Sequence, residues 1–311
     1  MLRAGFAVLR TSLATVAAAG PLAGCMAPCD YEQGNSLPVT RVRSLPIVPV
    51  ELNDHRVPFV FDTGAALTTL LPEGVKALGL QTDLLRSSRG VGIGGETQSS
   101  NALLARLRVG TQDVRNLTLP VASHTMGEGR RVPAGLLGAD FLRASEIDLN
   151  LPENRVVLYD RRRCLAGEPP WSGAYDTVPL QVLPNGWLRL QVRLNGQALP
   201  AILDTGASST LVSPDTARSV GVPEKVLSGP AAGKALGLGT EQLELRTWQG
   251  ASLQVGEERL DGLTLAIAPL PAEASFKVLL GQDYIASRRL WISYATQRLF
   301  VQRPSTPPRH P

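Results

Sequence analysis

Histidine and cysteine are scarce in this chain, with three of each in 311 residues, and each scarcity removes a class of chemistry. His55, His124 and His310 form no His-Glu-x-x-His pattern, and no Gly-x-Ser-x-Gly elbow is present, so zinc-protease and serine-hydrolase arrangements lack their parts. All three histidines read as surface residues. Glycine-rich stretches occur, but none is followed by the Lys-Ser/Thr pair of a phosphate-binding loop. Past the first two dozen residues no apolar run is long enough to span a bilayer. Aromatic residues are only 5% of the chain, and the four tryptophans read as packing or linker anchors rather than a carbohydrate platform. Charge of one sign is also missing in bulk. The formal net charge is +4, and without Arg3 and Arg10 of the amino-terminal segment the remainder stands at about +2, which points away from nucleic acid. The run Arg161-Arg162-Arg163 is short enough to be solvated loop.

The composition that remains is globular: 43% hydrophobic, 19% charged, with 30 glycines and 24 prolines that favour turns and short strands over long helices. The length suits two domains. Residues 1–24 open with a basic Met1-Leu2-Arg3, continue as an alanine-rich apolar stretch and end in Leu22-Ala23-Gly24 before Cys25. That is the layout of a secretory signal. Small residues running into a cysteine resemble the lipobox of bacterial lipoproteins, which implies that Cys25 becomes the lipid-bearing first residue of the mature chain. Met26 in place of Asp implies, by the same resemblance, sorting to the outer membrane. The other reading is an ordinary signal cut a few residues later. Cys29 and Cys164 are then left as an even pair in an oxidising compartment, either bridged or two free thiols.

The chain is a repeat. Val57-Pro58-Phe59-Val60-Phe61-Asp62-Thr63-Gly64-Ala65 matches Leu199-Pro200-Ala201-Ile202-Leu203-Asp204-Thr205-Gly206-Ala207. Further landmarks keep the same order: Asn53 with Asn195, Pro72 and Gly79 with Pro214 and Gly221, and Val109-Gly110 with Val255-Gly256. Gly135 to Leu142 matches Val278 to Ile285, and the offset stays between 142 and 146 residues throughout. The repeat divides the chain into a signal (1–24), a tether (25–36), lobe one (37–160), a linker (161–175), lobe two (176–303) and a tail (304–311).

Each half reads as mainly β. Ile47 to Leu52 and Leu188 to Leu194 alternate like half-buried strands, and Asn53-Asp54 and Asn195-Gly196 are hairpin turns. Short helices are expected over Pro72–Leu78 and Pro214–Val220, which start on Pro and end before Gly. Two more are expected near Asp140–Arg143 and Asp283–Ala286, with the Asp as amino-terminal cap.

Asp62 and Asp204 are the candidate catalytic pair. Two carboxyls brought close together cannot both ionise comfortably and share one proton, so one can act as base and the other as acid toward an amide, with neither metal nor cofactor. Gly64 and Gly206 would let the backbone turn tightly after each carboxylate. Thr63 and Thr205 carry hydroxyls able to bond across a lobe interface. Ala65 and Ala207 leave room beside the loops, and Ser208 is a candidate hydrogen-bond donor to the nearby carboxylate.

Both halves resemble the retropepsin-like aspartic proteases. Three elements carry the resemblance: apolar-apolar-Asp-Thr-Gly-Ala; the hairpins Gly92-Ile93-Gly94-Gly95 and Gly237-Leu238-Gly239-Thr240; and Leu136-Leu137-Gly138 with Leu279-Leu280-Gly281. The resemblance implies an all-β fold of two lobes related by a pseudo-twofold axis, an active-site cleft between them, and flaps formed by the two hairpins. It implies an aspartic endopeptidase acting on a polypeptide substrate through Asp62 and Asp204. The sequence departs from the usual retropepsin in carrying both lobes in one chain, which favours a monomer, and from pepsins in having two flap-like hairpins and no tyrosine in either. The rival reading is a silent peptide-binding lipoprotein of the same bilobal fold, held at the cell envelope facing the periplasm.

Overall fold

The computed structural model describes residues 31, 34–92, 95–123, 125–126, 132–161, 168–235, 242–271 and 274–303. It is mostly β, in two lobes. Each lobe is built on an eight-stranded sheet, and a third sheet of six strands draws on both.

The expected strand pair opens each lobe. Leu45–Leu52 pairs antiparallel with His55–Phe61, and Leu188–Leu194 with Gln197–Leu203. Leu188–Leu194 alternates buried and less buried positions, as a period-two sequence should. Asn53 and Asp54 (φ 46° and 67°) and Asn195 and Gly196 (φ 48° and 82°) turn the two hairpins in the left-handed conformation such tight turns require. The turn asparagine also has a second task. Asn53 Oδ1 accepts from Arg106 N at 3.0 Å, and Asn195 Oδ1 from Ser252 N at 2.8 Å, so each hairpin is pinned to the next strand of its sheet.

Leading out of each second strand, the chain makes a loop, a two-residue strand and a short helix, and later returns to insert a three-residue strand between them. Gly135–Leu137 thus runs parallel to His55–Phe61 and antiparallel to Thr69–Leu70. Val278–Leu280 does the same with Gln197–Leu203 and Leu211–Val212. These apolar runs are buried on both faces, which explains their unbroken hydrophobicity.

The helices fall at Pro72–Leu78, Pro214–Ser219, Ala139–Leu142 and Gln282–Ile285, with one that the sequence did not indicate at Glu224–Leu227. Asp140 and Asp283 are not the amino-terminal caps expected of them. Gly138 and Gly281 occupy those positions, and both aspartates sit two residues further on within the first turn, committed to other partners.

The six-stranded sheet modifies the linear division of the chain. Its order is Asn35–Pro38, Arg155–Asp160, Ser145–Asn150, Arg289–Ser293, Arg298–Gln302, Tyr175–Pro179. Ser145–Asn150 of the first half pairs directly with Arg289–Ser293 of the second. Asn35 and Ser36, assigned to the tether, are strand residues, and so is Tyr175, assigned to the linker. One face carries Ile147, Leu149, Leu290 and Ile292 into the main core. The other carries Tyr159, Trp291 and Phe300 into an aromatic layer closed by Tyr31, Trp171 and Tyr175. Tyr31 packs edge-on against Tyr159 and Trp291, with ring centroids 5.9 and 6.0 Å apart.

One buried ion pair crosses the seam. Asp148, 1% exposed, accepts from Arg289 Nε at 2.9 Å and Nη2 at 2.6 Å, and the guanidinium lies 4.9 Å over the Trp171 ring. A bidentate pair of this kind is costly to break from one side, because the other charge stays buried. Arg289→Met, which leaves the buried Asp148 without its partner, is expected to lower the unfolding free energy by about 3 kcal/mol, read from urea denaturation. A loss no larger than that of an exposed pair such as Arg259–Asp261 would show that the seam does not depend on it.

Candidate active site

Asp62 and Asp204 stand at the ends of His55–Phe61 and Gln197–Leu203, where each lobe's paired strands stop. Their main-chain N–H groups still reach the inserted strands, Asp62 N to Leu137 O at 3.1 Å and Asp204 N to Leu280 O at 3.0 Å. Each carboxyl therefore projects from the last anchored point of a sheet.

The loops that follow meet head to head. Thr63 Oγ1 donates to Leu203 O at 2.6 Å and accepts from Thr205 N at 3.1 Å. Thr205 Oγ1 donates to Phe61 O at 2.6 Å and accepts from Thr63 N at 2.9 Å. All four bonds are buried and all four cross between the lobes.

The chain turns at Gly64 and Gly206 as expected, but neither has a positive φ, so the turn alone does not require glycine there. A Cβ on Gly64 would fall 2.3 Å from Asp204 Cγ, and one on Gly206 would fall 2.4 Å from Asp62 Cγ. The missing side chain of each loop is the space occupied by the opposite carboxyl.

The two carboxyls lie within hydrogen-bonding reach of each other, 7% and 8% exposed. Asp62 Oδ1 accepts from Gly64 N and Ala65 N, both at 2.9 Å, and Asp204 Oδ1 from Gly206 N at 2.9 Å. Burial pushes the Asp62 carboxyl up to about 6 against the pull of its two N–H donors. Asp204 is raised well above the ordinary carboxylate range, first by burial and then by the charge of Asp62. The arrangement favours one proton shared by the pair.

A second tier holds the loops from behind. Asp140 Oδ1 accepts from Thr68 N at 2.8 Å and Thr68 Oγ1 at 2.7 Å, and Asp283 takes Thr210 N at 2.8 Å and Thr210 Oγ1 at 2.7 Å. The same threonine oxygens accept from Gly138 N at 3.1 Å and Gly281 N at 3.3 Å. Sequence reasoning missed these pairs, although each recurs at matched places in both halves, a signal the repeat could have supplied. Ala65 and Ala207 also serve through their backbones, accepting from Ala139 N at 2.8 Å and Gln282 N at 2.9 Å. Ser208 is exposed on the cleft wall, and its hydroxyl makes no hydrogen bond to Asp204.

Above the carboxyls lies a cleft of about 800 Å³. Leu45, Leu71 and Leu136 line one wall, and Leu211, Phe276 and Leu279 the other. The antiparallel hairpin of Thr82–Gly92 and Gly95–Val109 borders it through Ser88 and Arg89, and Gly233–Ala235 with Leu243–Val255 borders it through Lys234 and Leu245. Gly92 and Gly95 are paired at the end of the first hairpin. Ile93, Gly94, Gly237, Leu238, Gly239 and Thr240 lie outside the described residues, as do Cys25, Cys29 and Cys164. Among the described residues no three His, Cys, Asp or Glu side chains gather as metal ligands.

A family model described as "Aspartyl protease" matches residues 48–141 and again 190–284, one match in each lobe, each containing an Asp-Thr-Gly loop. The chain belongs to the aspartyl protease family. The aspartic proteinase from Irpex lacteus has a similar fold, with a TM-score of 0.54 at 13% identity over 89% of this chain and 99% of that one.

The raised carboxyls carry a stability consequence with a definite sign. A group held above its unfolded value adds stability below that value and loses it as pH rises through the folded one. For Asp62 the window runs from about 4 to about 6, and a rise of that size corresponds to roughly 3 kcal/mol. Asp204→Asn removes one of the two mutually repelling charges. Its stability relative to wild type is therefore expected to increase between pH 4 and pH 7, measured by urea denaturation at each pH. A difference that stays flat would mean that folding does not raise the Asp204 carboxyl.

Proposed function

We propose that the chain is an aspartic endopeptidase whose catalytic pair is Asp62 and Asp204. The observation that supports this most directly is the burial of the two carboxyls side by side on loops locked by reciprocal threonine bonds. In this reading Asp62 is the ionised partner, and Asp204, which its charge raises, holds the shared proton. A water between them gives a proton to Asp62 as its oxygen attacks the peptide carbonyl, while Asp204 delivers its own proton to the carbonyl oxygen. The resulting gem-diol collapses as one hydroxyl returns its proton to Asp204, the C–N bond breaks and the amine leaves with the proton from Asp62. The apolar walls seat side chains on either side of the scissile bond, and the two hairpins act as flaps that gate the cleft. With both halves of the site in one chain, the enzyme works as a monomer.

A silent peptide-binding protein of the same fold is less well supported. Two buried, mutually repelling carboxyls destabilise the fold at neutral pH, and binding alone has no use for them. The protein lacking residues 1–25, incubated with a peptide library from pH 3 to 8, is expected to cleave. Asp62→Asn and Asp204→Asn should each reduce kcat by about 10³-fold or more. A wild type that cuts nothing, or either variant cutting as well as wild type, overturns the assignment.

The location we propose is the bacterial envelope, with a lipid on Cys25 holding the enzyme to the outer membrane facing the periplasm; the amino-terminal sequence supports it. A Cys29–Cys164 bridge belongs to the same reading. Its support is that Tyr31 Oη donates to Glu168 O at 2.5 Å, which brings chain two residues past Cys29 beside chain four residues past Cys164. Protein purified without reductant should therefore hold two free thiols fewer per molecule than a reduced sample, by alkylation and mass measurement, and Cys29→Ser should release the Cys164 thiol.

A further inference from the structure

The two loops are treated alike by the threonine lattice and by the Thr–Asp clasps behind them, but not at residue 282. Gln282, 2% exposed, occupies the place that Ala139 takes in the first lobe. The main chains correspond there, since Ala139 N donates to Ala65 O and Gln282 N to Ala207 O. The difference is the side chain. Gln282 Nε2 donates to Thr205 O at 2.7 Å. That carbonyl shares its peptide unit with Gly206 N–H, which donates to Asp204 Oδ1 at 2.9 Å. Two hydrogen bonds are thus relayed through one amide, and a donor on the carbonyl makes the N–H of the same unit a stronger donor.

The relay comes with a buried loose end. Gln282 Oε1 is buried without a hydrogen-bond partner, which is unfavourable for an amide oxygen. Alanine fills the same position in the first lobe, so the fold itself does not require a polar side chain there.

We infer that Gln282 is a positioning residue: through the Thr205–Gly206 peptide it fixes the second carboxyl's loop and strengthens the bond that carboxylate accepts, and so sets the upper pH at which the pair holds one proton. The catalytic consequence rests on the endopeptidase reading; the effect on the carboxyl does not. Among the described residues, Asp62 is the titratable group that faces Asp204. The carboxylates of Asp140 and Asp283 are turned to Thr68 and Thr210, while Arg43, Arg89 and Lys234 line the cleft walls.

The test is a titration of ¹³C-labelled aspartate carboxyls by NMR in wild type and in Gln282→Met, which keeps the shape and loses the donor. The upper midpoint of the pair is expected to rise by about half a pH unit in the variant. The alkaline limb of kcat/KM should move with it, and kcat should fall roughly threefold to tenfold while KM changes little. A packing role would lower the melting temperature and move neither midpoint nor limb. A folded variant whose upper midpoint stays within about 0.1 unit of wild type overturns the inference. Should the variant fail to fold, wild type alone decides: above the upper midpoint, where both carboxyls are ionised, the Gly206 amide proton should resonate downfield of the Gly64 amide proton, and the reverse order overturns it. A chain that cleaves no peptide yet shows the midpoint shift would remove the endopeptidase assignment and leave the role of Gln282 standing.

Discussion

The structure depends on four hydrogen bonds between Thr63 and Thr205 and the backbones they face. Each hydroxyl spans the interface, donating to the residue before the opposite aspartate and accepting from the residue after it. Neither loop can shift without pulling the other. The separation of two negative groups, which would otherwise be set by their repulsion, is set by an uncharged lattice. Gly64 and Gly206 complete the constraint, because each loop lies flat against the other's carboxyl with no room for a methyl group. The same contacts that hold the lobes together hold the carboxyls at an uncomfortable distance, and this keeps a proton on them well above the pH at which an ordinary carboxyl loses it.

Within this near-symmetric frame the departures matter most. Backbone N–H groups of the following loop act on both carboxyls, Gly64 and Ala65 on Asp62 and Gly206 and Ala207 on Asp204, but Gln282 backs only the second through its peptide. A perfect twofold would leave the shared proton without a preferred side. A single chain permits unequal halves, since each loop can change independently, which a homodimer of one lobe cannot do.

Much of this was legible in the sequence because much of it is local. The asparagine turns, the apolar runs into Asp-Thr-Gly, the Pro-started helix before Gly79 and the returning Leu-Leu-Gly strand each leave a signature within a few residues, and the repeat showed each twice. What escaped was long-range. Nothing near Asn35 announces that it pairs across from Leu158, and nothing in Trp171 announces that it closes an aromatic layer with Tyr31 and stacks on Arg289. The turns at Gly64 and Gly206 are legible locally, but the requirement that these residues lack a Cβ comes from a carboxyl about 140 residues away. Asp140 and Asp283 looked like helix caps because capping is the local use of aspartate, and a threonine some 70 residues back in each lobe claimed them instead.

The six-stranded sheet makes the two halves a single cooperative unit. A repeat this clear suggests modules that could be separated at the linker and studied alone. Yet Ser145–Asn150 and Arg289–Ser293 are each other's neighbours at the centre of that sheet. A half-chain would present the bare ladder of one of them, with Asp148 or Arg289 stripped of its partner and half of an aromatic layer open to water. Isolated halves should therefore behave as sticky, strand-seeking fragments, each best satisfied by the other. The duplication visible in the sequence is thus a record of symmetry, and a poor guide to where the folded molecule could be cut.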